Sequence, residues 1–212
     1  MTESMRDRIL AAAIQVIRGR GIVAATTKEI ARTAGVSEGS LYNHFANKTA
    51  LFAAALGEVT GTARAAMAEV LSATGRDTVE GNLTRLACAM VAFYGELLPM
   101  TGPVLADPEL IAWLRADGPG ASTGASAGPV HGHTALISYL EAERRLGRLA
   151  EKADPAYLAA ALLGGCQQHA FLTRLAGAET VASGAGLPAD LGDFAAGLVR
   201  TVLAGHLPQP RP

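Results

Sequence analysis

The sequence predicts an all-α fold in which a three-helix head at the N-terminus is joined to a larger helical domain, with about nine helices in all. Apolar residues recur every three to four positions in almost every segment, and no segment shows the alternating pattern of a strand. The charge is also divided, because residues 1–50 carry a net charge of +3 and the rest of the chain carries −4. A basic end on an acidic body is expected where one part of a protein meets a polyanion.

The first two helices have clear signals at their ends. An apolar stripe over residues 9–17 predicts the first helix, which should end among the glycines of residues 19–21. Thr26 and, three residues later, Glu29 form the capping-box pattern that opens a second helix.

A short third helix and a long fourth helix follow. Gly35 allows a turn without steric cost, and Ser37 stands at the N-cap of a helix over about 38–44. Asn47 stands at the N-cap of the fourth helix. The second and third helices therefore have the spacing of a helix-turn-helix motif, in which the second helix presents its N-terminal residues to the DNA major groove.

Within the third helix, the pattern separates inward-facing from outward-facing residues. Leu41 and Phe45 are four positions apart and should hold the helix to the head. Gly39, Ser40 and Asn43 should face outward, where small side chains let the helix backbone approach the floor of the groove.

Polar side chains flank this outward face. Tyr42 and His44 can donate hydrogen bonds to phosphates, and Lys48 adds a cation at the N-terminus of the fourth helix. Glu38 fits DNA less well, because phosphates repel a carboxylate unless it accepts from a cytosine amino group. It is explained equally well as an acid that stabilises the helix dipole.

Helical patterns also fill the rest of the chain. We expect helices that start at Asp77 and at Asp107-Pro108, and further helices over about 130–146, 154–176 and 190–204. Residues 117–129 contain almost no apolar side chains and should form a loop, and the tail 208–212 should be disordered. No apolar run approaches the roughly 20 residues of a membrane span. The predicted domains are thus 1–48 and 49–207.

Residues 9–52, and above all the segment TTKEIARTAGVSEGSLYNHFANKTALF, resemble the DNA-binding domain of TetR-family transcriptional regulators. The resemblance implies a homodimeric, all-helical repressor that binds a palindromic operator and whose larger domain binds a small molecule. It also implies a dimer interface formed by the helices over about 155–176 and 190–204. The residues at positions that typically contact DNA in this family are Thr27, Lys28, Ser37, Gly39, Ser40, Tyr42, His44 and Lys48.

The larger domain carries Met, aromatic and His residues that either line an effector cavity or belong to an ordinary core. They are Met90, Phe93, Met100, Trp113, Tyr139, His169 and Phe171. If they line a cavity, the effector should be mainly apolar with few polar groups. Gly164 and Gly165 would let a partner helix approach closely in a dimer.

No metal site, cofactor or redox pair is predicted. His131 and His133, together with His169 or Cys166, contain metal-ligand side chains, but two histidines beside a loop more often mark a solvated helix start. Cys88 and Cys166 are expected to be free thiols in a reducing cytoplasm.

Two other function classes stand beside an effector-controlled regulator. A DNA-binding protein without an effector would keep the head but would leave the long helical remainder unexplained. A helical enzyme is disfavoured because the sequence has no nucleophile elbow, no Gly-rich phosphate loop and no paired carboxylates with a base. We therefore predict a cytoplasmic transcriptional regulator and not an enzyme.

Overall fold

The computed structural model describes residues 4–101, 108, 111–112 and 130–208, and these residues contain helices and no strand. Their nine helices with described ends are α1 (Met5–Ala24), α2 (Thr27–Ala34), α3 (Glu38–His44), α4 (Lys48–Ser72), α5 (Val79–Thr101), α6 (His131–Arg145), α7 (Pro155–Ala176), α8 (Ala178–Ala185) and α9 (Leu191–Leu203). The predicted all-α fold is confirmed. The chain separates into two compact units, Met1–Gly61 with Glu96–Gly128 and Thr62–Gly95 with Pro129–Pro212.

The first helix begins at a capped end and is interrupted near its C-terminus. The Ser4 side chain accepts a hydrogen bond from the Asp7 N–H at 3.1 Å. Ile9 and Ile17 are completely buried, as the apolar stripe predicted. Gly21 has φ 77° and ψ 161°, so the helix breaks in the predicted region and resumes for one turn up to Ala24.

The turn between α2 and α3 is closed by the backbone. Gly35 has φ 68° and ψ 35°, a left-handed conformation that glycine adopts at no steric cost. The Val36 N–H donates to the Ala31 carbonyl at 2.9 Å, and with the Gly35 N–H it forms the Schellman motif that ends many helices. Ser37 then caps α3, because its Oγ accepts from the Ser40 N–H at 3.1 Å.

Half of the predicted capping box at α2 is formed. Thr26 Oγ1 accepts from the Glu29 N–H at 3.2 Å. In a full capping box the Glu29 carboxylate would return to the Thr26 N–H, but here it lies 3.1 Å from Arg20 Nε. This carboxylate therefore joins α1 to α2.

The start predicted for the fourth helix is correct, and the start predicted for the fifth is wrong. Asn47 Oδ1 accepts from the Ala50 N–H at 2.8 Å and caps α4. The residue that caps α5 is Thr78 rather than Asp77, since Thr78 Oγ1 accepts from the Gly81 N–H at 3.0 Å. Asp77 instead has a left-handed φ of 49°.

Buried polar side chains join α5 and α6 within the second unit. Asn82 and Glu143 are completely buried. Asn82 Nδ2 donates to the Tyr139 hydroxyl at 3.0 Å. Glu143 accepts from the Gly75 N–H at 3.1 Å and lies 3.2 Å from Arg148 Nε. These contacts hold the turn between α4 and α5 against the C-terminal end of α6.

The last three helices include one that was not predicted. Asp154 caps α7, as predicted, but a single residue, Gly177 with φ 83°, separates the end of α7 from the short helix α8. An added Cβ at Gly165 would lie 2.7 Å from Leu198 Cδ1 of α9, so the close helix approach at this glycine occurs within the chain. An added Cβ at Gly164 would meet no atom within 4 Å.

Some predictions concern residues that are not described. The helix predicted from Asp107-Pro108, the loop 117–129, Trp113 and the tail 208–212 lie wholly or mostly outside the described residues. Cys88 is half-buried, Cys166 is buried, and both are free thiols.

The expectation about membrane spans needs a correction. By length and composition, α5 is long and apolar enough to cross a membrane. Of its apolar window 28% is buried in this structure, and the buried residues of α5 include Leu83, Leu86 and Ala87.

Candidate nucleic-acid interface

One side of α3 is anchored in the head, and the other side is open. Leu41 is 0% exposed and Phe45 is 4% exposed, which confirms the predicted inward-facing pair. Gly39 and Asn43 are exposed on the other side. An added Cβ at Gly39 would meet only Ser37 Oγ, at 3.9 Å. The backbone of α3 is therefore accessible to a groove at this residue.

A chain of hydroxyl groups connects the first turn of α2 with α3. The Tyr42 hydroxyl donates to Thr27 Oγ1 at 3.4 Å, and the Thr27 hydroxyl donates to Glu38 Oε1 at 2.5 Å. The first of these hydrogen bonds is longer than usual for two oxygen atoms and is correspondingly weak. The Tyr42 hydroxyl can therefore turn to another acceptor, such as a phosphate oxygen, at little cost.

Two positively charged side chains of the first unit lie over aromatic rings. Lys48 Nζ lies 5.0 Å from the centre of the Phe52 ring, and the Arg6 guanidinium lies 5.1 Å from the centre of the Phe45 ring. Cations at this distance are attracted to the ring face. Lys48 makes no ion pair with an acid in the part of the chain that the structure describes.

Two further cations of the head were not among the predicted DNA contacts. An open cleft of about 720 Å³ is lined by Lys28 and also by Arg20 and Arg32, whose side chains are 62% and 78% exposed. Both arginines lie within 4 Å of the Glu29 carboxylate, which neutralises part of their charge. Arg32 follows Lys28 by four residues, a spacing that places both on one side of α2 and gave a signal in the sequence.

The candidate effector residues are in different environments. Met90, Met100, Tyr139 and His169 are buried, and Phe93 is half-buried. Phe171 is 47% exposed on α7, and Trp113 lies outside the described residues. Burial raises the pKa of Tyr139 to about 12, and its hydroxyl accepts from Asn82.

An open cleft of about 510 Å³ on the second unit contains one of these candidates, His169. The His169 ring stacks on Phe194, with the ring centres 3.8 Å apart. Burial lowers the pKa of His169 below its usual value, which favours the neutral imidazole. Thr173 and Arg174 line the same cleft one turn later and were not predicted. Neither His169 Nδ1 nor Thr173 Oγ1 has a hydrogen-bond partner in the described part of the chain.

The outer side of α7 carries a stripe of exposed residues at alternating steps of four and three. The stripe consists of Tyr157, Ala161, Gly164, Gln168, Phe171 and Leu175. Its three large apolar residues are 77%, 47% and 69% exposed. Steps of three and four keep side chains on one side of a helix, and the small residues in the middle leave room for a second helix. Aligned apolar side chains on a surface are typical of contacts between proteins.

Metal-ligand side chains do not cluster in the described ranges, where no three His, Cys, Asp or Glu residues are grouped to hold an ion. His131 is exposed at the first residue of α6, and His133 is half-buried.

Comparison with protein families and known structures gives two results. Residues 9–55 match the family of bacterial regulatory proteins called the tetR family. No curated protein matches the sequence.

Solved structures of several regulators are similar to the whole chain. The ketosteroid transcriptional regulator KstR2 of Mycobacterium tuberculosis has a TM-score of 0.67 and 18% identity, over 99% of this chain and 98% of its own. SmeT, the repressor of the Stenotrophomonas maltophilia multidrug efflux pump SmeDEF, has a TM-score of 0.62 and 22% identity, over 99% and 98%. The transcriptional regulator FadR from Bacillus subtilis in complex with stearoyl-CoA has a TM-score of 0.58 and 19% identity, over 93% and 97%.

At 18% and 22% identity, the similarity to solved structures shows a shared fold. The match of residues 9–55 is a similarity of sequence. Residues 9–55 thus match the tetR family in sequence, and the whole chain shares its all-helical fold with solved structures of TetR-family transcriptional regulators.

Proposed function

We propose that this protein is a cytoplasmic, sequence-specific transcriptional repressor that binds a palindromic operator as a homodimer and is released by a small, mainly apolar effector. The observation that carries the proposal is the two-sided character of α3. Leu41 and Phe45 anchor it, while the side at Gly39 is open. A helix presented in this way by a helix-turn-helix motif enters the major groove.

The side chains around α3 divide into two kinds of DNA contact. Gly39 and Ser40 lie against the groove floor, where base edges are read. Phosphates are bound by the residues that flank them, with Tyr42 and Lys48 as the strongest contacts. The other proposed DNA contacts are Thr27, Lys28, Ser37 and His44.

Selection from a random double-stranded DNA library, followed by affinity measurements at several salt concentrations, tests this assignment. Lys48→Ala should weaken binding to all sequences alike and reduce the slope of log affinity against log salt by about one per subunit, because fewer counterions are released. Lys152→Ala, which removes an exposed lysine from the second unit, is the matched control and should leave the slope unchanged. A wild-type protein that enriches no sequence would contradict the proposal.

The homodimer is supported by the exposed stripe on α7. Its apolar residues, Tyr157, Phe171 and Leu175, flank small residues at which a second copy of α7 can approach. The adjoining helix α9 packs on α7 at Gly165 and completes the proposed interface. A two-fold dimer presents two identical copies of α3, so its operator should be an inverted repeat.

Gly164→Arg tests the dimer without disturbing the fold of one subunit, because an added Cβ meets no atom there. We expect sedimentation equilibrium at micromolar concentration to show a dimer for the wild type and a monomer for this variant. Gly19→Arg is the control, since an added Cβ at Gly19 also meets no atom. A monomeric wild type would rule out the proposed assembly.

The proposed effector follows from the apolar residues of the larger domain and from the related structures. Met90 and Phe93 lie on α5, and two of the similar structures are a ketosteroid transcriptional regulator and a regulator in complex with stearoyl-CoA. An effector acts only through its different affinities for two states, so it should favour a dimer whose reading helices do not match the half-site spacing. If no acyl or steroid compound weakens DNA binding, the effector-free DNA-binding protein becomes the better description.

A further inference from the structure

Glu38 is the acidic residue of α3, and the DNA contacts proposed above leave it without a role. It is the first residue of α3 and is exposed. Tyr42 follows one helical turn later on the same side, and both side chains meet at Thr27. A helix that enters the groove with Gly39 at its floor therefore carries this carboxylate in with it.

No cation lies within ion-pair distance of this carboxylate in the described residues, and the cations that share its cleft are Lys28, Arg20 and Arg32. Its hydrogen-bond partner is the neutral Thr27 hydroxyl, at 2.5 Å from Oε1. Glu29, by contrast, lies 3.1 Å and 3.8 Å from two arginines. An unneutralised carboxylate beside DNA is repelled by the phosphates, and it is tolerated at a base edge only where that edge supplies a hydrogen-bond donor.

The base edges of the major groove differ in what they offer to such a group. Guanine and thymine present acceptors or a methyl group, which a carboxylate cannot bond. Adenine presents its amino group beside the N7 acceptor, so one carboxylate oxygen is satisfied while the acceptor repels the other. Cytosine presents an amino donor and no acceptor on its own major-groove edge, so it is the best partner.

From this chemistry we propose that Glu38 selects a cytosine at one position in each operator half-site. The inference rests on the proposed DNA-binding function and goes beyond it by naming the base. Thr27 is the positioning residue, because its hydroxyl holds Oε1 and leaves Oε2 free to accept from the cytosine amino group. Glu38 acts as much by penalising other bases as by binding cytosine, which is a common source of specificity.

Binding-site selection with the wild type, Glu38→Gln and Glu179→Gln tests the proposal. Wild-type selection should give cytosine at one position per half-site, with a loss of at least about fivefold in affinity when another base replaces it. The Glu38→Gln variant should prefer adenine at that position and retain the other positions, because a glutamine amide matches the adenine N6 and N7 pair. Glu179, exposed in the second unit, supplies the control, whose selected sequence should equal that of the wild type.

Thr27→Val provides a second variant that keeps the shape of the side chain and removes the hydroxyl. It should weaken the preference for cytosine without creating one for adenine, and circular dichroism should show unchanged helical content. An unchanged base preference at every position in Glu38→Gln would overturn the inference, and so would an equal change in affinity for all sequences. Either result would leave the proposed function intact, whereas a wild type that selects no sequence would overturn both.

Discussion

The head and the second unit are built from similar helices, but the longest polar contacts within each of them span different distances along the chain. In the head, Ser37 and Thr26 cap helices through residues three positions away, and Arg8 reaches the Ala34 carbonyl across 26 positions. In the second unit, Asn82 reaches Tyr139 across 57 positions, and Gly75 reaches Glu143 across 68. A helix-turn-helix whose helix ends are capped by neighbouring residues can form in many different sequences. The second unit depends instead on contacts between residues far apart in the sequence, and such contacts differ from one protein to another.

The largest effect should come from removing the apolar anchor of the head. Phe45→Ala should lower the free energy of unfolding by about 3 kcal/mol, because the side chain is 4% exposed and its loss leaves a cavity. Urea unfolding followed by circular dichroism measures the change. Val23→Ala, at a residue that is 59% exposed, should change stability by less than about 0.5 kcal/mol. If Phe45→Ala lost DNA binding at unchanged stability, Phe45 would have to contact DNA rather than the core.

A somewhat smaller effect is expected from the long-range polar contacts of the second unit. Glu143→Ala should cost about 2 kcal/mol, because the Gly75 N–H loses its acceptor and Arg148 loses its partner. The cost is moderated because Arg148 also donates to the carbonyls of Arg76 and Asp77. Glu143→Gln retains an acceptor for Gly75 and should lose about half as much stability. Equal stability of all three proteins would mean that apolar packing alone holds this unit.

The smallest expected effect is the pH dependence contributed by His169. Its folded-state pKa lies below the usual 6.5, so below that pH the unfolded chain binds a proton that the folded chain does not. Stability should therefore fall as the pH drops below about 6.5, and His169→Phe should remove this part of the dependence while keeping a ring against Phe194. Urea unfolding between pH 8 and pH 5 compares the two proteins, with His131→Gln as an exposed control. Parallel profiles for wild type and His169→Phe would contradict the assignment.

A helix boundary could be predicted from the sequence where the contacts that define it join residues close together in the chain. The ends of α2, α3 and α7 were predicted because a cap residue lies next to the N–H groups that it satisfies. The cap of α5 was misplaced by one residue because Asp77 and Thr78 are both good cap residues, and the local pattern does not choose between them. The helix α8 was missed because one glycine both ends α7 and precedes α8.

In the candidate sites, too, contacts within one helix could be predicted, whereas contacts between separate helices could not. The inward side of α3 followed from the four-residue spacing of Leu41 and Phe45. The Tyr42–Thr27–Glu38 chain was not predictable, because it depends on how two helices are placed against each other. The packing of Gly165 on Leu198 was assigned to a dimer partner for the same reason, since a glycine in a sequence indicates a close approach but not which helix makes it.

The central claim is that α3 reads DNA sequence through direct approach of its open side at Gly39. The most direct test compares wild type and Gly39→Leu for affinity to the selected operator and to a scrambled duplex. The substituted side chain has free space in the protein itself, so the variant should fold with wild-type stability. We predict that Gly39→Leu loses its preference for the operator while keeping the weak, salt-sensitive binding to both duplexes. A Gly39→Leu protein that still prefers the operator by the wild-type ratio would contradict the account, because α3 would then not lie against the groove floor.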